Sequence, residues 1–129
     1  MRGNDAEIHL SSKELGRLGE KMAEKFLREE KDYRILSRNY RCPLGEIDIV
    51  ALDNDTVAFV EVRSSSAREV DLAAQSVNSR KQAKLRQLAS FYLKAQNNDR
   101  EPLCRFDVVL VFMTKSGIVR EIRLLQNAF

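Results

Sequence analysis

The sequence predicts an α/β domain with element order α-β-β-β-α-β-β. Apolar residues recur at steps of three and four in two separated segments, the signature of a helix with one buried face. Runs rich in β-branched and aromatic residues, bounded by turn residues, fill the stretch between those segments and the carboxyl-terminal quarter. At 129 residues the chain fits one domain, since about 100–150 residues is the commonest domain size and suffices for a real core.

The elements follow in order. Residues 1–10 show weak patterning and read as a mobile lead-in to a domain spanning 11–129. Ser11 and Glu14 stand at capping-box spacing. Beyond them Leu15, Leu18, Met22 and Phe26, flanked by Ala23 and Leu27, describe a helix to about Glu30. "DYRILSRNY" (Asp32 to Tyr40) is a strand candidate, and Pro43 with Gly45 marks the turn after it. Two strands follow, Glu46–Leu52 and Thr56–Arg63, and then a Ser-rich loop, "SSSAREVD". From Val77 to Gln96 the helical pattern returns, with Leu85, Leu88, Ala89 and Tyr92 on one face. "CRFDVVLVFM" is almost continuously apolar, as expected of a strand covered on both faces. "KSG" turns into the last strand, "IVREIRLL".

Composition narrows the function classes. No stretch approaches the ~20 apolar residues of a membrane span, and the start "MRGNDAEIHL" has no signal-peptide core, so the expected location is the cytoplasm, with no membrane partner. Cys42 and Cys104 are too few and too far apart for a paired-cysteine zinc site and read as buried thiols. The single histidine, His9, supports neither a histidine metal site nor a Ser-His-Asp mechanism. Any metal must then take oxygen ligands. The net charge of +3 permits a polyanionic partner without requiring one.

The chemistry concentrates in "GEIDIVALDNDTVAFVEVR", Gly45 to Arg63, where Asp48 and Glu61 each interrupt a β-rich run. A buried, unpaired carboxylate is costly. If "DND" is a tight hairpin turn with Asp53 opposite Thr56, the same register sets Asp48 opposite Glu61 and Glu46 opposite Arg63. Simple alternation then places Glu46 and Asp48 on one face and Glu61 and Arg63 on one face. Opposed like charges are destabilising, and a divalent cation between them relieves the repulsion; carboxylate, carbonyl and water ligands suit Mg²⁺ or Mn²⁺. The same spacing also suits a half-solvated hairpin face with an ordinary salt-bridge ladder.

These residues resemble the YraN-like family of predicted bacterial endonucleases, part of the restriction-endonuclease-like superfamily with its PD-(D/E)xK motif. The resemblance extends through "LGEKMAEKFL", "RNYRCPLGEID", "SRKQAKL", "CRFDVV" and the terminal "NAF", nearly the whole chain. It implies a restriction-endonuclease-like core with a mixed central sheet flanked by helices. It also implies a metal-dependent endonuclease hydrolysing DNA phosphodiester bonds, structured or damaged DNA among the candidate substrates. Asp48 and Glu61 would be metal ligands, the Val62 carbonyl a further one, and Glu20 the acid that some relatives supply from the first helix. The motif lysine is Arg63 here, and Ser65 stands where many relatives have a second basic residue. Lysine can shift its pKa and act as a base, whereas arginine stays charged and only positions or stabilises. A nucleic-acid-binding module of the same fold, cutting weakly or not at all, is the alternative. An interaction protein with a structural acidic hairpin is a third reading.

Outside the hairpin, Arg80, Lys81, Lys84, Arg86 and Lys94 form a basic run with no acid between Leu72 and Asn98. Such a run can neutralise phosphates, or simply solvate a helix face. Arg80, Lys81, Lys84 and Arg86 are the nucleic-acid-binding candidates. Lys81, in line with Leu85 and Leu88, is placed to reach toward the acids and partly replace the missing lysine, and it joins Asp48, Glu61 and Arg63 as a catalytic candidate. Glu20, a helical glutamate beside Lys21 and Lys25, reads first as a surface residue and only second as a ligand. Arg105 and Asp107 share a strand face and read as a structural pair. A homodimer would suit an enzyme that cuts two strands.

Overall fold

A computed structural model describes residues 8–66, 77–96 and 102–129. Helix α1 (Ser12–Glu30) is followed by strands β1 (Arg34–Cys42), β2 (Gly45–Asp53) and β3 (Thr56–Ser65), then helix α2 (Ser79–Ala95) and strands β4 (Leu103–Met113) and β5 (Val119–Leu125). The described strands form one mixed sheet in the order β1-β2-β3-β4-β5. Strands β1 to β3 are a meander of antiparallel neighbours, β4 lies parallel to β3, and β5 returns antiparallel to β4. This is the expected mixed sheet with a helix on each face. Of the lead-in, residues 1–7 lie outside the described residues, while Leu10 donates its N–H to the Lys115 carbonyl. The Ser-rich loop lies outside them from residue 67, and its first residues, Ser64 and Ser65, extend β3.

Local chemistry explains the boundaries. Ser11 and Glu14 close the reciprocal capping box at the start of α1. Asn78 caps α2 by accepting the N–H of Lys81. The hairpin turn is Asn54-Asp55, with Asn54 in the left-handed region (φ 56°) that asparagine tolerates better than most residues.

Two apolar layers hold the helices to the sheet. Leu85, Leu88, Ala89 and Tyr92 of α2 pack on Val50, Phe59, Phe106 and Leu110. On the other face Ala23 and Leu27 of α1 pack on Ile49, Ala51, Val60 and Val109. The buried line of α1 is thus Gly19, Ala23 and Leu27, rotated from the larger residues that the periodicity singled out. Small residues there allow close approach: a methyl built on Gly19 would lie 1.9 Å from Ser64 Oγ and 3.1 Å from its Cβ. Strand β4 is buried on both faces, as its apolar run implies. The cysteines correct the sequence reading. Cys104 is exposed at the start of β4, and Cys42, at the end of β1, is half-buried against the core layer that carries α2.

A buried polar cluster ties the middle of β4 to the start of β1 and the turn end of β2. Asp107, fully buried, accepts hydrogen bonds from Tyr33, Arg105 and the N–H of Asn127. Arg105 also reaches Asp53 at 2.7 Å. The Arg105–Asp107 pair is structural, as its shared strand face suggested.

Candidate active site

The β2–β3 ladder runs from Asp53–Thr56 to Ile49–Val60, the register expected from the turn. Continued by one residue, it sets Asp48 against Glu61. There the strands part company with regular pairing: the carboxylate of Asp48 accepts the N–H of Val62 at 2.8 Å. Alternation also breaks at this point. Ile47 packs on the α2 face and Ile49 on the α1 face, although residues two apart in a regular strand share a face. Strand β1 shifts opposite it, since Tyr40 packs on the α2 face while Arg38 pairs with Glu24 of α1. Between Arg38 and Tyr40 stands Asn39, whose φ of 49° is left-handed. The polar residues of the hairpin therefore converge through a paired kink at Asn39 and Asp48, and the expectation of plain alternation from Glu46 to Asp48 is corrected.

Glu61 is buried at 6 % exposure, and Lys81 Nζ lies 2.5 Å from its Oε2. Asp48 is pushed up to about 8, first by burial and then by the charge of Glu61 and a hydrogen bond with its carboxyl, against the lowering effect of the Val62 N–H. Burial and the neighbouring charge of Glu61 thus favour the protonated form of Asp48. Glu20, half-buried, is also raised, first by burial and then by the charges of Glu46 and Glu61. The two strands and α1 thus bring Glu20, Glu46, Asp48 and Glu61 within electrostatic range of one another.

A cleft of about 300 Å³ opens beside Asp48, with Glu20, Asn39, Arg17, Lys21 and Arg38 in its walls. Oriented by its partners, the Asn39 amide nitrogen donates to Glu20 Oε1 at 2.8 Å and to Glu46 Oε1 at 2.9 Å. Glu46 also pairs with Arg41 at 3.3 Å. A second hollow of about 320 Å³ on the other side of Glu20 is lined by Val62, Ser64 and Ser65.

The basic candidates separate into two groups. Arg80, Lys81 and Lys84 line one open hollow of about 620 Å³ at the start of α2. The stem of Lys84 runs past Gly45, 3.6 Å from where a Cβ would stand, beside the hairpin mouth. Positive side chains in the first turn of a helix oppose its dipole, a local cost that a bound anion would relieve. Arg86 lies elsewhere, its guanidinium over the rings of Phe106 and Phe129 at 5.0 and 5.6 Å. Arg63 is half-buried on β3, two residues beyond Glu61.

Oxygen donors are what a hard cation requires, and Asp48 with Glu61 supplies two neighbouring carboxyls, that of Glu61 buried. Among the described residues, no three His, Cys, Asp or Glu side chains form a ready-made cage. The set therefore fits a cation held by two carboxylates, backbone and water, with Glu20 at the rim. Sequence reasoning missed Asn39. The available signal was an asparagine in the middle of a strand, the residue after glycine best suited to a left-handed position.

No helix among the described residues is long and apolar enough to cross a membrane. The model of the Uncharacterised protein family UPF0102 matches residues 19–111, a span that holds both acids, Lys81 and both kinked residues. A UPF0102 protein of Pelotomaculum thermopropionicum is 45% identical over 115 residues, which is 89% of this chain and 94% of that one. That of Desulforamulus reducens is 43% identical over 122 residues, 94% of this chain and 99% of that one. One from Clostridium acetobutylicum is 36% identical over 122 residues, 95% of this chain and 98% of that one. The chain belongs to the UPF0102 family, the YraN family that its acidic hairpin resembles.

Proposed function

We propose that this protein is a metal-dependent endonuclease that hydrolyses phosphodiester bonds of DNA. The observation that carries the reading is the Asp48–Glu61 carboxyl pair, Glu61 buried and Asp48 half-buried beside a cleft, with Lys81 set against Glu61. Asp48, Glu61 and the Val62 carbonyl would hold Mg²⁺ or Mn²⁺, which supplies Lewis-acid charge beside a scissile phosphate. Lys81 is about half exposed, so its ammonium can leave Glu61 for a phosphate oxygen without leaving water. Arg63 stays charged and orients a phosphate oxygen or the attacking hydroxide. Arg80 and Lys84 hold the flanking backbone, and backbone contacts favour recognition of duplex shape over sequence.

A second reading, a nucleic-acid-binding module with weak or no cleavage, draws on the same geometry. Lys81 already neutralises Glu61, and Arg63 occupies the position of the motif lysine. Purified protein incubated with linear, nicked, flapped and four-way DNA, with and without Mg²⁺ or Mn²⁺, separates the two. Metal-dependent cleavage of any of these supports the endonuclease. Binding without cleavage across the panel supports the module.

A further inference from the structure

Asn39 has no part in the roles assigned above, yet from β1 it bridges α1 and β2 at the site. It sits on β1 opposite the break in β2 at Asp48, in a left-handed conformation (φ 49°). On either side of it the strand changes face: Arg38 pairs with Glu24 on α1, and Tyr40 packs edge-on against Tyr92 of α2, ring centroids 5.0 Å apart. Its amide nitrogen spans Glu20 Oε1 (2.8 Å) and Glu46 Oε1 (2.9 Å), carboxylates from a helix and from a neighbouring strand. Two carboxylates this close repel unless a donor or cation stands between them. With Asn39 donating, Glu20 is held at one oxygen, and its other oxygen is left for the cleft that Asp48 and Asn39 also line.

We propose that Asn39 is a positioning residue of this site: its left-handed backbone sets the kink that exposes Asp48, and its amide fixes Glu20 at the rim of the Asp48–Glu61 pair. The inference rests on the reading of that pair as a cation site. Outer partners that orient ligands typically change metal affinity by about 10- to 100-fold when removed.

Glycine keeps the left-handed backbone and deletes only the amide, so Asn39→Gly separates the two contributions. Mn²⁺ affinity, measured by titration calorimetry without DNA, should fall about 10-fold in Asn39→Gly. Its thermal midpoint should stay near that of the wild type. Asn39→Ala strains the backbone as well and should lower both affinity and midpoint. In a Glu20→Ala background, Asn39→Gly should have no further effect on Mn²⁺ affinity, since its action runs through Glu20. Wild-type affinity in Asn39→Gly, or an equal loss with and without Glu20, overturns the assignment of Asn39 while leaving the cation site standing. Wild-type protein that takes up no Mn²⁺ overturns both.

Discussion

Lys81 Nζ and Glu61 Oε2 stand 2.5 Å apart, which makes the first turn of α2 a source of positive charge for the acid at the centre of β3. The ammonium is delivered by a helix that follows β3 in the chain, and the motif position on β3 itself carries Arg63. Lys81 and a divalent cation therefore want the same carboxylate. Lys81→Met should tighten Mn²⁺ binding about 5-fold, the ~1 kcal/mol of a half-exposed ion pair, and slow DNA cleavage. Calorimetry checks the first and a gel assay the second. Unchanged affinity would show that the lysine does not compete.

Asp48 makes stability depend on pH in a direction opposite to that of most carboxylates. Its proton is held up to about pH 8 in the folded protein, whereas the unfolded chain releases it near 3.8. Between those values the folded state binds more protons than the unfolded one. Stability therefore falls as pH rises, by up to ~1.4 kcal/mol per unit, and the loss is complete above the folded value. Asp48→Asn keeps an acceptor for the Val62 N–H and removes the ionisation. Chemical denaturation from pH 4 to 9 in chelator should find the variant flatter across this window and more stable than wild type at pH 8. Parallel curves for the two proteins would count against the burial of this carboxyl.

The catalytic variants should divide binding from chemistry. Asp48→Asn and Glu61→Gln each remove a cation ligand, and Glu61→Gln also removes some repulsion of phosphate, so cleavage is lost while duplex affinity is kept or, in Glu61→Gln, slightly raised. Mobility shifts beside cleavage time courses test this. Wild-type cutting by both variants, with contaminating nuclease excluded, would place the chemistry elsewhere.

Salt dependence should map the DNA surface. Arg80 and Lys84 open onto the hollow beside Lys81, whereas Arg86 is spent on Phe106 and Phe129. Affinity should be nearly indifferent to sequence and should fall steeply with salt. The slope should drop by about one for each phosphate no longer neutralised in Arg80→Ala and Lys84→Ala, and change little in Arg86→Ala. Arg86→Ala should instead lower the thermal midpoint. A reduced slope confined to Arg86→Ala would relocate the surface to the carboxyl terminus.

Gly19 sets how closely α1 approaches β3. Gly19→Ala forces Ser64 and Met113 to move and shifts the adjacent Glu20 outward. Overpacking of this kind costs ~1–3 kcal/mol, more than the gain in helix propensity returns. Thermal melts should show a lower midpoint, and Mn²⁺ affinity should fall with it. A midpoint at or above wild type would mean that Ser64 yields freely.

The element order, the register of the hairpin and the meeting of Asp48, Glu61 and Lys81 were all legible in the chain. Each follows from short-range rules: the periodicity of apolar residues, a two-residue turn that fixes strand pairing, and the i, i+4 geometry that puts Lys81 above Leu85. The pairing of Arg105 with Asp107 is local in the same sense. Tertiary structure decided what depends on cover and on kinks. Cys104, read from the sequence as a buried thiol, is exposed at the start of β4. Glu20 has the sequence surroundings of a surface residue, and only the close docking of α1 through Gly19 brings it to the acids. Arg86 belongs to the same basic run as Lys81, yet one helix carries them to different neighbours because five positions turn a helix well past a single face. The break in alternation at Asn39 and Asp48 is the clearest case. It arises from two strands bending together, and the burial of a carboxyl there is settled by what packs around the bend rather than by the residues beside it in the chain.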